Sequence, residues 1–464
     1  MIRISDLKLP ADADMEALKK KIIRELNLNK TGGKAFDPKI RILKRSLDAR
    51  KKPEIYYVYS VAVTVDPALE KKILEKNRNK KITEYTEKPY TIPISASTEN
   101  RDPGELKRPV IIGDGPCGLF CAYILTLAGL APLVIERGSE TVKRSETVEK
   151  FFKTGVLDPE CNVQFGEGGA GAFSDGKLNT SVKDKNGRDR FVLDTFVKYG
   201  AKEETAYDAK PHLGTDVIAK VVRSMRLDME SMGCKFLFDT KVTGIGVKDG
   251  RITGVNVGDR FISADRVVLA TGHSASDTFE MLIANNVNMK AKPFAVGLRL
   301  EHSQRMMDIS QYGRERGSVL PASDYKVTNR TSKGRNVYSF CMCPGGYVID
   351  SSSAEGELCI NGMSYSGRDG DNCNAAIVAA VDERDYGTDS VLSGMRYIKK
   401  LERKAYSVAG GAVPYMSYGE FKTGHLRKDG EYGLTPCIKG RHERADITGI
   451  LPDELNEAII ESIE

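Results

Sequence analysis

An α/β chain carrying an extra α+β module at its N-terminus is the fold class that the sequence predicts. Three observations predict it. The stretch VIIGDGPCGLFCAYILTLAGLAPLVIERG (Val110–Gly138) runs from a short apolar strand through a glycine turn into an apolar helix and a second strand, the start of a Rossmann-like unit. Phe236–Val268 holds several short strand-like runs separated by Gly and Asp-Gly, a β-meander closing on VVLATG. Residues 1–96 read as β-α-β-β-α-β, the order of a ferredoxin-like sandwich.

The elements follow in order. Ile2, Ile4, Leu7 and Leu9 suggest the first strand, and Met15, Leu18, Ile22 and Leu26 fall at helical spacing. Lys39–Lys44 and Ile55–Val65 read as two further strands. Asp66-Pro67 places an N-cap before a proline at the first helical position and opens a helix over Ala68–Lys76. Tyr90–Ile94 is the expected last strand of the module. ISASTENRDPGELKRP, polar and holding two prolines, reads as a linker. The second domain is expected over 107–280, with strands at Pro109–Ile112 and Pro132–Ile135, a helix over Leu119–Ala128 and a long amphipathic helix over Leu213–Met232. Mixed helix and strand patterns then give a third, α+β substrate or cap domain over 281–464.

Composition narrows the class. The chain is 40% hydrophobic and 29% charged, within the range of folded globular proteins. No run reaches the ~18–20 apolar residues of a membrane span, and MIRISDLKLPADADME has no apolar signal core, so a cytoplasmic protein without membrane contact is expected. Nine cysteines, odd in number and irregular in spacing, read as reduced thiols and not as a disulfide framework. No CxxC pair occurs, and His212, His273, His302, His425 and His442 form no ligand motif, so no metal is expected. Charge is uneven. Residues 1–100 hold 22 Lys and Arg against 14 Asp and Glu, a balance of +8 within a whole-chain +6, so the remaining residues sum to −2.

Gly113, Gly115 and Gly118 form G-x-G-x-x-G between strand and helix, with Asp114 and Pro116 between the first glycines and the helix. Gly113 permits the tight turn, Gly115 admits a pyrophosphate to the backbone, and Gly118 lets the helix pack on the strand. The phosphates then meet the positive helix N-terminus. Glu136, about 20 positions on, is expected to accept hydrogen bonds from an adenosine ribose; its charge disfavours a 2′-phosphate. A ligand-free helix–sheet turn is the bland alternative, and the full strand–turn–helix–strand context outweighs it. Lys143 and Arg144 follow the second strand and are candidates to reach the phosphates, with a solvated charge cluster an equal alternative; Arg137, beside Glu136, is a further cofactor-binding candidate. In NVQFGEGGAGAFSDGKLNT (Asn162–Thr180), Gly166, Gly168, Gly169 and Gly171 allow backbone amides close to a bulky planar ligand; a glycine-rich surface loop is the alternative. Phe173, Ser174, Asp175 and Lys177 are plausible pocket side chains there.

The ending ERG and the later LATG (Leu269–Gly272) resemble the two-part FAD signature of glutathione-reductase-type flavoproteins, and no second strand–G-x-G-x-x-G–helix unit marks a separate NAD domain. The segments GDGPCGLFCA, DPECNVQFGEGGAGAFSDGKLNT, KPHLGTD, ATGHSASDTFEML, AVGLRLEHSQ, CMCPGG and NGMSYSGRD, in that order, resemble the uncharacterised FAD-dependent dehydrogenase family of bacteria. The likeness spans nearly the whole chain, including RSLDARKK near its start. It implies a glutathione-reductase-type FAD domain, a redox role and no particular substrate. It also implies that Val242, Thr271 and Gly272 join the glycine turn around FAD. Two departures stand out. Ser303 occupies a position where family members carry proline. Relatives are expected to continue past the ILPDELNEAII helix into a glycine-rich turn that closes over the flavin, so a chain stopping at Glu464 is expected to hold FAD poorly.

The reading is an FAD-dependent oxidoreductase acting on a small-molecule substrate or electron donor, with NAD(P)H docking transiently as one candidate donor. A truncated, non-catalytic flavoprotein homologue is one alternative. The other is an RNA-associated protein, since ILKRSLDARKK and IYYVYS combine charge with aromatics on a strand. The K/R-G-F/Y motif of sheet-type RNA binders is absent, and packing of the module on the flavoprotein body is preferred to nucleic-acid binding. Flavins carry their own hydride chemistry, so no triad is required. Cys341 and Cys343 could relay electrons; as an alternating strand pair they also fit a small buried hydrophobic role, which is preferred. His302 could act as acid or base; the alternation Leu298, Leu300, His302 favours a structural ring on the inner face.

Overall fold

In the computed structural model, residues 1–28, 38–93, 108–180, 182–427 and 433–464 are described. Ile94 of the expected strand and nearly all of the expected linker fall outside them. The chain is a mixed α/β protein of two compact units, one comprising 1–91, 177–213 and 304–323, the other 92–176, 214–303 and 324–464. This partition cuts across the consecutive segments 107–280 and 281–464.

The first unit is built on β1 (Ile2–Pro10), β2 (Lys39–Lys51), β3 (Glu54–Thr64) and β4 (Ile82–Glu84), in the order β2-β3-β1-β4 with every neighbour antiparallel. That is the pairing of a split β-α-β-β-α-β unit. Asp14 caps the helix Met15–Glu25 by accepting from the Ala17 amide at 2.8 Å. Asp66 caps Pro67–Lys76 by accepting from the Ala68 amide at 2.9 Å, as its dipeptide predicts. Leu18 and Ile22 project from the first helix onto Ile4, Val61 and Val63 of the sheet. The last strand is Ile82–Glu84, not Tyr90–Ile94. Ile82 pairs with Ile4 and buries its side chain there, whereas the Tyr90 ring packs 5.2 Å from Phe191.

Inside the same unit Arg45 pairs with Asp208, at 2.6 and 2.9 Å, and lies over the rings of Tyr57 and Tyr207. Arg45 of the basic stretch is therefore engaged by Asp208 and Tyr207 of segment 177–213.

The second unit contains a four-stranded parallel sheet of β5 (Val110–Ile112), β6 (Leu133–Ile135), β7 (Lys235–Leu237) and β11 (Val267–Leu269), in the order β11-β5-β6-β7. The helix Pro116–Leu127 joins β5 to β6, and Thr215–Ser231 precedes β7. Between β7 and β11 lies the expected meander: β8 (Gly244–Lys248), β9 (Arg251–Val257) and β10 (Arg260–Ser263), all antiparallel. Val255, Val257 and Ala264 pack with Val110, Ile112 and Ile135, which fixes the meander against the parallel sheet.

A second antiparallel sheet runs β12 (Phe294–Ser303), β17 (Asn372–Val381), β14 (Asn336–Cys343), β13 (Thr328–Arg330), and a smaller one contains β15 (Tyr347–Asp350) and β16 (Ile360–Met363). The helix Asp453–Ile463 covers the first of these with Leu455 and Ile459, beside Ile377 and Ala379. Among the described residues no helix is long and apolar enough to cross a membrane.

Candidate functional site

The site grows from the end of β5. The Gly113 amide donates to Ile135 O at 2.8 Å and the Ala270 amide to Ile112 O at 2.8 Å, so three strands meet at this turn. Gly113 has φ +98°, and a Cβ there would lie 2.5 Å from Ala270 O. Only glycine fits that geometry. A Cβ on Gly118 would fall 1.9 Å from Gly113 O, which shows how tightly the helix sits on its own turn.

Gly115 is the N-cap of Pro116–Leu127 and supplies no side-chain cap; proline occupies the first turn. The unpaired amides of that turn therefore remain for an anion. Gly169 approaches from the second glycine-rich loop, where a Cβ would lie 2.8 Å from Gly115 Cα. The Gly168 amide holds the contact by donating to Asp114 O at 2.8 Å.

Glu136 joins the two loops. Its buried carboxylate accepts from the amides of Asp114 (2.8 Å), Gly138 (2.9 Å) and Gly166 (2.9 Å). Three of its roughly four lone-pair directions are thus filled, leaving one on Oε2. Glu167 anchors the loop from below: the Thr141 amide donates to it at 2.7 Å, the Thr141 hydroxyl also donates, and Arg226 Nε donates at 2.7 Å.

Asp114 lies beside these acids, fully buried, and neither carboxyl oxygen has a hydrogen-bond partner among the described residues. Burial first, then the charges of Glu167 and Glu136, hold its pKa well above the usual carboxylate range.

These elements open on a cavity of about 600 Å³. Gly113, Gly115, Pro116, Glu136, Arg137, Gly169, Gly171, Val242, Thr271 and Gly272 line it, so ten of the residues singled out in the sequence come together there. Its size is within the range of small-molecule and cofactor sites. A glycine turn, an uncapped helix end and a carboxylate with one remaining acceptor position fit the pyrophosphate and ribose of a dinucleotide.

Arg137 contributes to the wall while its guanidinium pairs with Asp277 (2.6 Å) and Glu160 (2.8 Å) and covers the Phe165 ring. Gly118, Asp114 and Gly168 stand behind the lining and shape the turn.

Arg144 is not brought to this cavity. It is 1% exposed and donates to four backbone carbonyls: Asn162 (3.0 Å), Val163 (3.0 Å), Gly166 (3.3 Å) and Glu167 (2.7 Å). Burial lowers its pKa to about 10. It holds the second glycine loop in place; the solvated charge cluster and the phosphate reach are both replaced by a buried staple. Asp175 is also fully buried and pairs with Arg368. Phe173 lies under Arg144, at 4.9 Å from its guanidinium. Lys177 belongs to the other unit.

His302 stacks 5.5 Å from the Tyr325 ring, and its buried Nε2 has no hydrogen-bond partner among the described residues. Burial lowers its pKa, in line with a neutral structural ring.

Sequence reasoning missed Cys117, Gln164, Lys241 and His273, which also line the cavity. Cys117 is one residue past the proline of the motif, and its place was legible there. Gln164 stands inside the quoted second loop. The other two arrive from after β7 and β11, and no local signal marks them. Among the described residues no cluster of His, Cys, Asp and Glu is arranged to hold a metal ion.

Comparison with known proteins adds relatives. Residues 293–464 match the family described as "FAD-dependent protein, C-terminal domain-like", and residues 1–64 match a domain of unknown function. Over 468 residues the chain is 42% identical to an uncharacterised protein of Clostridium beijerinckii, covering all of this chain and 85% of that protein. Among solved structures, THI4 of Thermovibrio ammonificans is 17% identical with a TM-score of 0.28, covering 40% of this chain and 66% of that one. The glycerol-3-phosphate dehydrogenase of Bacillus halodurans, complexed with FAD, is 13% identical with a TM-score of 0.30, covering 64% and 54%.

Proposed function

The chain belongs to the family of the uncharacterised Clostridium beijerinckii protein, and from that premise we propose that it is an FAD-dependent oxidoreductase with a glutathione-reductase-type nucleotide domain. One observation carries the reading: Gly115 and Gly169 touch beneath an uncapped helix N-terminus that opens on a cavity of about 600 Å³. The family match of residues 293–464 supports the same cofactor.

In this reading the first-turn amides of Pro116–Leu127 hold the pyrophosphate, and the remaining acceptor position of Glu136 takes an adenosine ribose hydroxyl. Val242, Thr271 and Gly272 border the nucleotide. The flavin, when bound, supplies two-electron hydride chemistry. The chain's own residues bind it, orient it and exclude a 2′-phosphate through the charge of Glu136. The electron donor is a small molecule, with reduced nicotinamide nucleotide docking transiently as the proposed case. The proposed location is the cytoplasm, on the odd, irregularly spaced cysteines. The RNA reading loses support because Arg45 is paired with Asp208 and lies over the rings of Tyr57 and Tyr207.

The test is flavin content. The purified protein is expected to show flavin absorbance bands, and Gly115→Val is expected to lose them while keeping its circular dichroism. A parent protein that takes up no FAD on titration overturns the proposal.

A further inference from the structure

In β14 the alternation of exposed and buried side chains breaks after Phe340, and Met342 and Cys343 are both buried. The register shows why. Phe340 pairs with Ala376 and Cys343 with Asn374, so three steps on one strand match two on the other. The extra residue is a β-bulge. Cys341 is in it with φ +49°, the left-handed region that a non-glycine residue adopts only at a cost. A straight strand separates residues i and i+2 by about 6.6–7.2 Å, beyond most of the roughly 4.4–6.8 Å over which a disulfide spans two Cα atoms. A bulge bends the strand that carries it, and with Cys341 in the left-handed region the chain leaves the straight path between the two cysteines.

The surroundings are built around the pair. Cys343 Sγ donates to Cys341 O at 3.4 Å, and Arg299 Nη1 is 4.0 Å from Cys343 Sγ and 3.3 Å from Cys341 O. Gly362 leaves the space: a Cβ there would lie 2.3 Å from Arg299 Nη1 and 2.6 Å from Cys343 Sγ. Asn374 is fully buried, and its Nδ2 has no partner among the described residues. A buried donor without an acceptor is unusual, and this one belongs to the residue paired with Cys343 across the sheet. Cys341 is partly exposed whereas Cys343 is buried.

We propose that Cys341 and Cys343 form a redox-active dithiol that exchanges with low-molecular-weight disulfides. The Cys341 thiolate attacks one sulfur of the disulfide RS–SR, forming a mixed disulfide and releasing one thiolate RS⁻. Cys343 then gives up its proton to solvent and attacks the Cys341 sulfur. The second RS⁻ leaves and the Cys341–Cys343 bond closes. Two protein thiols are oxidised, one small disulfide is reduced to two thiols, and the two released protons end on the leaving thiolates. The hydrogen bond to Cys341, then burial, holds the Cys343 thiol well above the usual thiol range. This matches the order of events: Cys343 keeps its proton while its neighbour attacks. The proposal deepens the flavoprotein reading by naming a substrate class, and rests on that reading only for the source of the electron pair that returns the closed bond to the dithiol; the exchange itself needs no cofactor.

The experiment uses the full chain stripped of flavin, so its outcome is separate from any test of FAD binding. The protein is equilibrated in glutathione buffers from fully reduced to fully oxidised, quenched in acid, denatured, alkylated with N-ethylmaleimide and cut with chymotrypsin. The peptide Cys341–Tyr347 contains only these two cysteines. It is expected to change in one step from doubly alkylated to unalkylated and two hydrogens lighter, while Cys161 and Cys234 keep their alkyl groups. Cys341→Ser is expected to leave Cys343 alkylated throughout. Cys343→Ser is expected to trap a glutathione adduct on Cys341; if that variant fails to fold, Cys343→Ala serves. Two independently alkylated thiols across the whole series, or adducts without closure in the parent chain, overturn the proposal.

Discussion

Replacing Glu136 by Gln or Ala tests the centre of the site. Three backbone amides donate to this carboxylate, two of them to Oε1. Each such charge-assisted bond contributes roughly 1.5–3 kcal/mol. Bonds that share an atom do not add in full, so removing all three costs about 4–7 kcal/mol. That is a large share of the roughly 5–15 kcal/mol that holds a domain folded, and Glu136→Ala is expected to be barely stable. Glu136→Gln is the usable variant. Its amide oxygen can still receive Gly138 and Gly166, while its NH₂ group faces the Asp114 amide, donor against donor. The expected loss is about 2–3 kcal/mol, or roughly 3–5 °C in Tm for a unit of about 300 residues. Circular dichroism reads the melt. Flavin emission reads FAD affinity, and the chain has no tryptophan to interfere. Affinity is expected to fall about tenfold. A Gln variant that melts within a degree of the parent refutes the bridging role. A lowered Tm with unchanged FAD affinity refutes the ribose contact alone.

Three other outcomes follow from the same geometry. Gly115→Val places branched carbons over the uncapped helix end and is expected to abolish flavin retention while the far-ultraviolet spectrum persists; unchanged flavin content would remove the cradle from consideration. Arg144→Met leaves four buried carbonyls without their donor and is expected to lower stability by about 3–5 kcal/mol, seen as a melt shift, with FAD affinity of the folded fraction unchanged; a selective loss of affinity would restore Arg144 to the phosphates. Asp114 has a folded pKa above its unfolded one, so the native state holds the extra proton and stability falls as pH rises from about 4 toward the folded pKa, by at most about 1.4 kcal/mol per pH unit. Asp114→Asn is expected to flatten that slope, so its Tm advantage over the parent grows between pH 5 and pH 8; parallel Tm profiles would show that Asp114 does not titrate there.

The sequence by itself determined what depends on near neighbours. Asp66-Pro67 caps a helix because its oxygen reaches an amide two residues on. Gly113, Gly115 and Gly118 make their turn because spacing alone puts the Gly118 Cα under Gly113 O. The strand pairs at Val110–Ile112 and Leu133–Ile135 and the meander were legible from apolar runs and turn residues. Tertiary structure decided whatever depends on a partner far along the chain. An arginine after β6 reads as a phosphate ligand until the loop 162–167 folds over it and takes its donors. An apolar run at Tyr90 reads as a strand until Ile82 finds Ile4 and Tyr90 finds Phe191. Asp114 occupies an ordinary motif position, and only the convergence of Glu136 and Glu167 makes it a buried acid. Cys341 and Cys343 alternate in the sequence; the single extra residue against β17 that changes their relation is fixed by the register of a strand some 30 residues away. Segments 177–213 and 304–323 join the N-terminal sheet for the same reason: burial is settled by which surfaces meet in space, and periodicity describes only the face each element offers.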